Sequence, residues 1–202
     1  GPEDAEIYIL GEAPGAKEDQ EGQAFVGPSG KLMWSDIFAR AHIWRKDCRV
    51  ANVYWERPPG NDFKKLEDDH EYWEDTKEDI VAHPRKFIIA VGEKALQFLT
   101  GQVGITSWRG SILRDIPIEV NGNLTFVTVL PMVHPAAVLR QFSLLVLCRH
   151  DARRAQRLLA TPSLAPPSLE ILQFAEALRR HGDSEEAVYN EYMDTLDAYM
   201  GA

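Results

Sequence analysis

Apolar and polar positions follow two rhythms along this chain. Residues 6–10 (EIYIL), 49–54 (RVANVY), 87–91 (FIIAV) and 125–130 (TFVTVL) are largely apolar runs of strand length. Near-continuous apolar runs fit parallel strands buried on both faces. Between them apolar residues return every three or four positions. Residues 31–41 put Leu32, Met33, Ile37 and Phe38 on one helical face, and 66–82 do the same for Tyr72, Trp73, Ile80 and Val81, with Pro84 as the stop. Residues 93–99 and 144–159 predict two further helices, the second with its arginines on one face. Residues 101–109 read as a loop, and 111–113 with 116–120 as a small hairpin excursion around an Asn121-Gly122 turn. Strands alternating with helices predict a three-layer α/β/α domain over residues 1–160, built on a central four-stranded parallel sheet. Residues 161–167 (TPSLAPP) follow as a rigid linker, then C-terminal helices at 168–180 and 184–200.

One connection departs from this regularity. Residues 11–30, GEAPGAKEDQEGQAFVGPSG, hold five glycines and two prolines between the first strand and the first helix. Plain connectors in α/β units run about 2–6 residues. The stretch lacks both GxxxxGK[ST] and GxGxxG, and its carboxylates would repel a phosphate. Glu12, Glu18, Asp19 and the single aromatic Phe25 suit a flat neutral ring and a water instead. Ligands of open α/β sheets bind outside the carboxyl ends of the strands. At the same sheet edge the second strand closes with Asn52, and the fourth runs into Pro131-Met132-Val133-His134-Pro135. Asn52 either caps a turn or offers its amide to the edge of an amide-containing ring. His134, held between two prolines, reads as a fixed donor rather than an ordinary loop histidine.

Composition narrows the picture. Of 202 residues 45% are hydrophobic, enough for a core, and no run of about 18 apolar residues could span a bilayer. Gly1-Pro2 reads as the remnant of a cleaved tag, and the start is not a signal peptide. Cys48 and Cys148 lack metal-ligand spacing; two reduced thiols in a cytoplasmic protein are the expectation, a disulfide the alternative. The net charge of −9 is segregated: residues 62–79 and 183–202 carry −6 each, which leaves +3 elsewhere. Residues 134–160 hold Arg140, Arg149, Arg153, Arg154 and Arg157 against Asp151 alone, so a basic face able to steer a polyanion is expected.

With these residues in view, the chain resembles the uracil-DNA glycosylase superfamily, nearest its family 4 type. GEAPGAKEDQEGQAFVG, ANVYWERPPGN and HPAAVLR follow in the family's order, with weaker likenesses at VGEKALQFLTG and TSWRG. The resemblance covers residues 7–160 and implies an enzyme that flips a nucleotide from DNA and hydrolyses its glycosidic bond. It implies Phe25, Asn52 and Ala13 as the base-binding set, and His134 as the donor to the departing base. It also implies Glu18 as the carboxylate for the attacking water, with Glu12 the other candidate. Val138, Leu139 and Arg140 would form a wedge in the vacated stack, with Gly27, Ser29 and Pro135 also against the DNA. No lysine stands in these motifs, so a monofunctional enzyme leaving an abasic site is expected, without a Schiff base.

The departures concern a cofactor. Family 4 enzymes of this pattern hold a 4Fe–4S cluster on four cysteines. Here Glu56 stands where a cysteine would precede RPPGN, none falls at 73–76, and Cys48 and Cys148 match no cluster position. No cluster is therefore expected, and the acidic helix should be held by packing through Tyr72 and Trp73. HPAAVLRQF also resembles glycosylase domains of phage and bacterial proteins. This opens a second reading, a glycosylase for 5-hydroxymethyluracil or glucosylated hydroxymethylcytosine in phage DNA, acting in defence. A third is a catalytically silent DNA-binding or processivity module whose C-terminal helices dock a protein partner.

Overall fold

The apolar runs assemble into one sheet. In this computed structural model, which describes residues 1–63, 70–82 and 87–160, the strands are β1 (Ile7–Gly11), β2 (Cys48–Asn52), β3 (Phe87–Val91), β4 (Leu113–Val120) and β5 (Asn123–Met132). Their order is β2-β1-β3-β5-β4. β1 pairs in parallel with β2 and β3, and β3 with β5, which supplies the four parallel strands expected. The expected hairpin excursion is instead a fifth, antiparallel strand of the same sheet. Asn121 and Gly122 have φ of 51° and 77°, the pair of positive values a type I′ turn needs to fold β4 back along β5. The register slips between Leu113 and Ile116, around Asp115 at φ 55°.

Side chains alternate between the two faces of the sheet. One face buries Tyr8, Leu10, Ile88, Ala90, Val127 and Val129 with Ile80 of α3 (His70–Ala82) and Ala95, Phe98 and Leu99 of α4 (Glu93–Thr100). Ile7, Ile9, Ile89 and Val91 alternate with these and are equally buried. On that other side α7 (Leu144–Ala160) packs on β5 and on the segment after the glycine-rich loop.

The helices between are less regular than the pattern expects. The glycine-rich stretch contains a short α1 (Ala16–Glu21). The helix expected at 31–41 is α2 (Pro28–Leu32), a π-helical turn (Met33–Ile37) and a 3-10 turn (Ala39–Ala41). Its inner face is as expected, with Met33, Ile37 and Phe38 fully buried. The loop expected at 101–109 includes α5 (Ile105–Trp108). In α3, Trp73 meets Phe98 edge-on at 5.3 Å, and Asp79 bonds the Tyr8 hydroxyl (2.7 Å) and Arg49 (2.7 Å). The expected linker and C-terminal helices, 161–202, lie outside the described residues, as do the starts of the acidic helix and Pro84.

The arginines do not form one face. Arg149 makes a two-pronged ion pair with Asp36, at 2.6 and 2.7 Å, and Arg154 is buried in the domain. A helix wound at 3.6 residues per turn turns position 154 about 100° away from 153, towards the sheet. Cys48 and Cys148 are separate buried free thiols, and burial pushes both up to about 12.

Candidate active site

A cavity of about 460 Å³ opens at the carboxyl ends of β1, β2 and β5. The chain leaves β1 for β2 on one side and later reaches β3 on the other, so the loops after these strands diverge and leave room between them. Glu12, Ala13, Glu18, Phe25, Ser29, Asn52, His134 and Arg140 all line it. Residues from three distant segments therefore meet as expected.

Each polar group is held in a definite state. Glu18, on α1, accepts hydrogen bonds at Oε1 from the backbone N–H of Val26 (3.1 Å) and Gly27 (2.7 Å). A Cβ on Gly15 or Gly27 would lie 2.7 or 2.9 Å from this carboxylate, so glycine permits the approach. Glu12 takes the backbone N–H of Lys94 at Oε1 (3.1 Å), an interaction that anionic groups favour at a helix start. Gly92, at φ 104°, packs against the same carboxylate. Asn52 ends β2 beside Gly11, whose Cβ would fall 2.3 Å from its Oδ1. Among the described residues the Asn52 amide has no hydrogen-bond partner, which answers the turn-cap alternative. Its donor and acceptor are left to the cavity.

His134 caps α6 (Pro135–Arg140): its Nδ1 accepts the N–H of Ala136 at 3.2 Å. An accepting Nδ1 leaves the proton of the neutral ring on Nε2. Burial holds the imidazole pKa below its ordinary value; Glu12 and Glu18 pull it up, and Arg140 adds to the lowering. The ring is thus a neutral donor. It lies 6.0 Å from the ring of Phe25 and 28° from parallel. Phe25 is 5% exposed and has φ 55°, a left-handed backbone that costs a bulky residue roughly 1–3 kcal/mol.

The remaining expected residues have the following places. Gly27 supplies an N–H to Glu18, and Pro135 is the buried first residue of α6. Val138 is fully buried and packs into the core, so it cannot be part of a surface wedge. Leu139 and Phe142 are the exposed apolar pair there, at 55% and 63%. A period of 3.6 residues on a six-residue helix decides which of three consecutive side chains faces in, and Phe142 lies two positions past the HPAAVLR motif. Pro58 and Phe63 also line the cavity and were missed, because nothing in RPPGNDF marks an apolar wall. The weaker likenesses are structural. Arg109 makes a buried ion pair with Asp151, and Glu93 accepts the N–H of Gly104 and Ile105 at 2.7 Å each.

The chain does not fit a four-thiolate cluster. Its two cysteines lie on β2 and α7 as protonated thiols, and Glu56 is exposed. The segment after Asn52 is tied to α3 by rings instead: Tyr54 and Trp55 meet Tyr72 at 6.1 and 6.5 Å. Among the described residues no group of three or more His, Cys, Asp or Glu side chains is arranged for a metal ion.

A largely parallel α/β sheet with two carboxylates, an aromatic, an amide and a neutral imidazole at its switch point defines the class of α/β proteins that take a ligand at the carboxyl ends of their strands, here in a pocket suited to a planar ring. The family model of the uracil DNA glycosylase superfamily matches residues 1–159, and the chain belongs to that superfamily. It is 33% identical to the type-4 uracil-DNA glycosylase of Archaeoglobus fulgidus over 139 residues, covering 69% of each chain. It is 35% identical to that of Pyrobaculum aerophilum, covering 67% of this chain and 68% of the relative. With that of Thermotoga maritima it shares 32%, over 69% of both.

Proposed function

We propose that the protein is a monofunctional uracil-DNA glycosylase, which excises uracil and leaves an abasic site. The observation that carries this reading is the pairing of an unpartnered Asn52 amide with a His134 ring whose Nδ1 is taken by Ala136 N–H, in one cavity lined by Phe25. A nucleotide must leave the stack for its glycosidic bond to be reached. Flipped into the cavity, uracil stacks on Phe25, and Asn52 reads its N3–H and O4, a polarity that cytosine reverses. The C1′–N1 bond breaks with its electron pair going to the base, and the negative charge develops on O2. The Nε2–H of His134 meets that charge; a preorganised donor of this kind is worth about 10²–10³ in rate. Water adds its oxygen to C1′, and Glu18 takes its proton and offsets the positive charge on the sugar. Glu12, held on Lys94 N–H, is the second carboxylate beside His134. The same reading has the enzyme work without an iron–sulfur cluster, the aromatic contacts of Tyr72 joining the parts a cluster would join.

Leu139, Arg140 and Phe142 replace the wedge expected at 138–140, since Val138 is inside. The test is alkali-labile cleavage of an oligonucleotide carrying one uracil, run beside the His134→Ala protein and with iron analysis of the wild type. A His134-dependent break and no stoichiometric iron support the proposal. Cleavage only of DNA with 5-hydroxymethyluracil or modified cytosine would move the substrate to phage-type bases. Binding without cleavage of any of them would leave a binding module.

A further inference from the structure

We propose that Arg45 is a positioning residue for the base-stacking platform: laid over Trp34, its guanidinium holds Phe25 in the left-handed conformation that puts its ring in the cavity. What Phe25 stacks on rests on the glycosylase reading; the clamp itself does not. Arg45 opens the 3-10 turn Arg45–Asp47 before β2, twenty positions from Phe25 and outside every motif noted in the sequence. Its Nη2 donates to the carbonyl of Ala24 at 2.7 Å and its Nη1 to that of Phe25 at 3.5 Å. The next two peptides, at Val26 and Gly27, give their N–H groups to Glu18. The strained residue is therefore gripped on both sides, its carbonyls by a cation and the following amides by an anion. Gly30 of α2 closes the third side, where a Cβ would lie 2.2 Å from the Phe25 carbonyl.

Trp34 supplies the bed for this cation. Its ring centroid is 5.3 Å from the Arg45 guanidinium carbon, and it sits on the π-helical turn. Its Nε1 is buried with no acceptor among the described residues. The indole is kept for its face rather than for its N–H. Single π-helical turns inside helices often mark functional positions; here the turn sets the indole under Arg45. A planar fork that reaches two carbonyls while stacked on an indole is a task for arginine; a lysine offers one point charge.

The experiment compares Arg45→Met, Arg45→Lys, Phe25→Ala and the double variant Arg45→Met/Phe25→Ala. Single-turnover excision from a uracil oligonucleotide is measured for each, with amide hydrogen exchange followed across residues 24–27 and in β1 and β3. Arg45→Met should speed exchange at 24–27 and leave the strands protected. It should lower excision about 10²-fold, the scale of a reacting group displaced by about 1 Å, with Arg45→Lys between it and the wild type. In the Phe25→Ala background the same change should add less than about threefold, because the two residues act as one unit. Unchanged exchange at 24–27 in a folded Arg45 variant overturns the clamp even if the wild type excises nothing. Losses that multiply in the double variant, with exchange altered, overturn its action through Phe25. Arg45→Lys keeps both arms readable should Arg45→Met fail to fold.

Discussion

Replacing His134 with alanine should separate two jobs that one ring performs. Nδ1 caps α6 through Ala136 N–H, and in the proposed reaction Nε2–H meets the charge that develops on the base. Loss of a side-chain N-cap costs about 1 kcal/mol, which in a domain of this size lowers Tm by about 2–4 °C. Loss of the donor should cost about 10²–10³ in single-turnover excision, or about 2.7–4 kcal/mol of transition-state stabilisation. His134→Asn splits the two effects. Its Oδ1 can stand where Nδ1 stands and restore the cap, while nothing reaches the place of Nε2–H. The expected pattern is a melting temperature near wild type with a rate as low as that of alanine. The assay pairs excision under excess enzyme with thermal unfolding of the same preparations. Excision by His134→Ala within tenfold of wild type, or recovery of rate in His134→Asn, would refute the donor role. Acid adds a check of sign. The folded pKa of His134 lies below its ordinary 6.5, so the folded state resists the proton that the unfolded state accepts. Its share of stability is full above 6.5 and is lost as pH falls through the lowered value. His134→Asn should remove that part of the slope.

The other expectations concern the DNA face and the scaffold. Leu139→Ala and Phe142→Ala should slow excision from duplex more than from single-stranded DNA without moving Tm. Val138→Ala should instead destabilise by roughly 1.5–3 kcal/mol, read by chemical denaturation. Arg140→Ala should reduce the salt slope of DNA binding by about 1, whereas Arg149→Ala should leave the slope alone and lower Tm through the lost pair with Asp36. Asp151→Asn should cost about 3–5 kcal/mol, because it leaves Arg109 without its buried counter-charge.

Much of the site follows from chain order alone. Apolar runs joined by helical crossovers pair in parallel, three of them inside the sheet and β2 at its edge, and the loops after parallel strands open at one end of the sheet. That logic joined Glu12, Glu18, Phe25, Asn52 and His134 across more than a hundred residues, and the cavity brings them together. What it could not reach depends on direction and on partners distant in sequence. Whether β4 was an excursion or an edge strand turned on backbone pairing with β5, to which side chains contribute little. Val138 rather than Leu139 faces inward because of where α6 rests on its neighbours, and a three-residue motif does not encode that. The arginines of α7 share a composition, not a face: Asp36, 113 positions away, claims Arg149, and the core takes Arg154. Arg45 is the plainest case. A lone arginine before a strand carries no signal until folding lays it between an indole and the carbonyl of a strained phenylalanine.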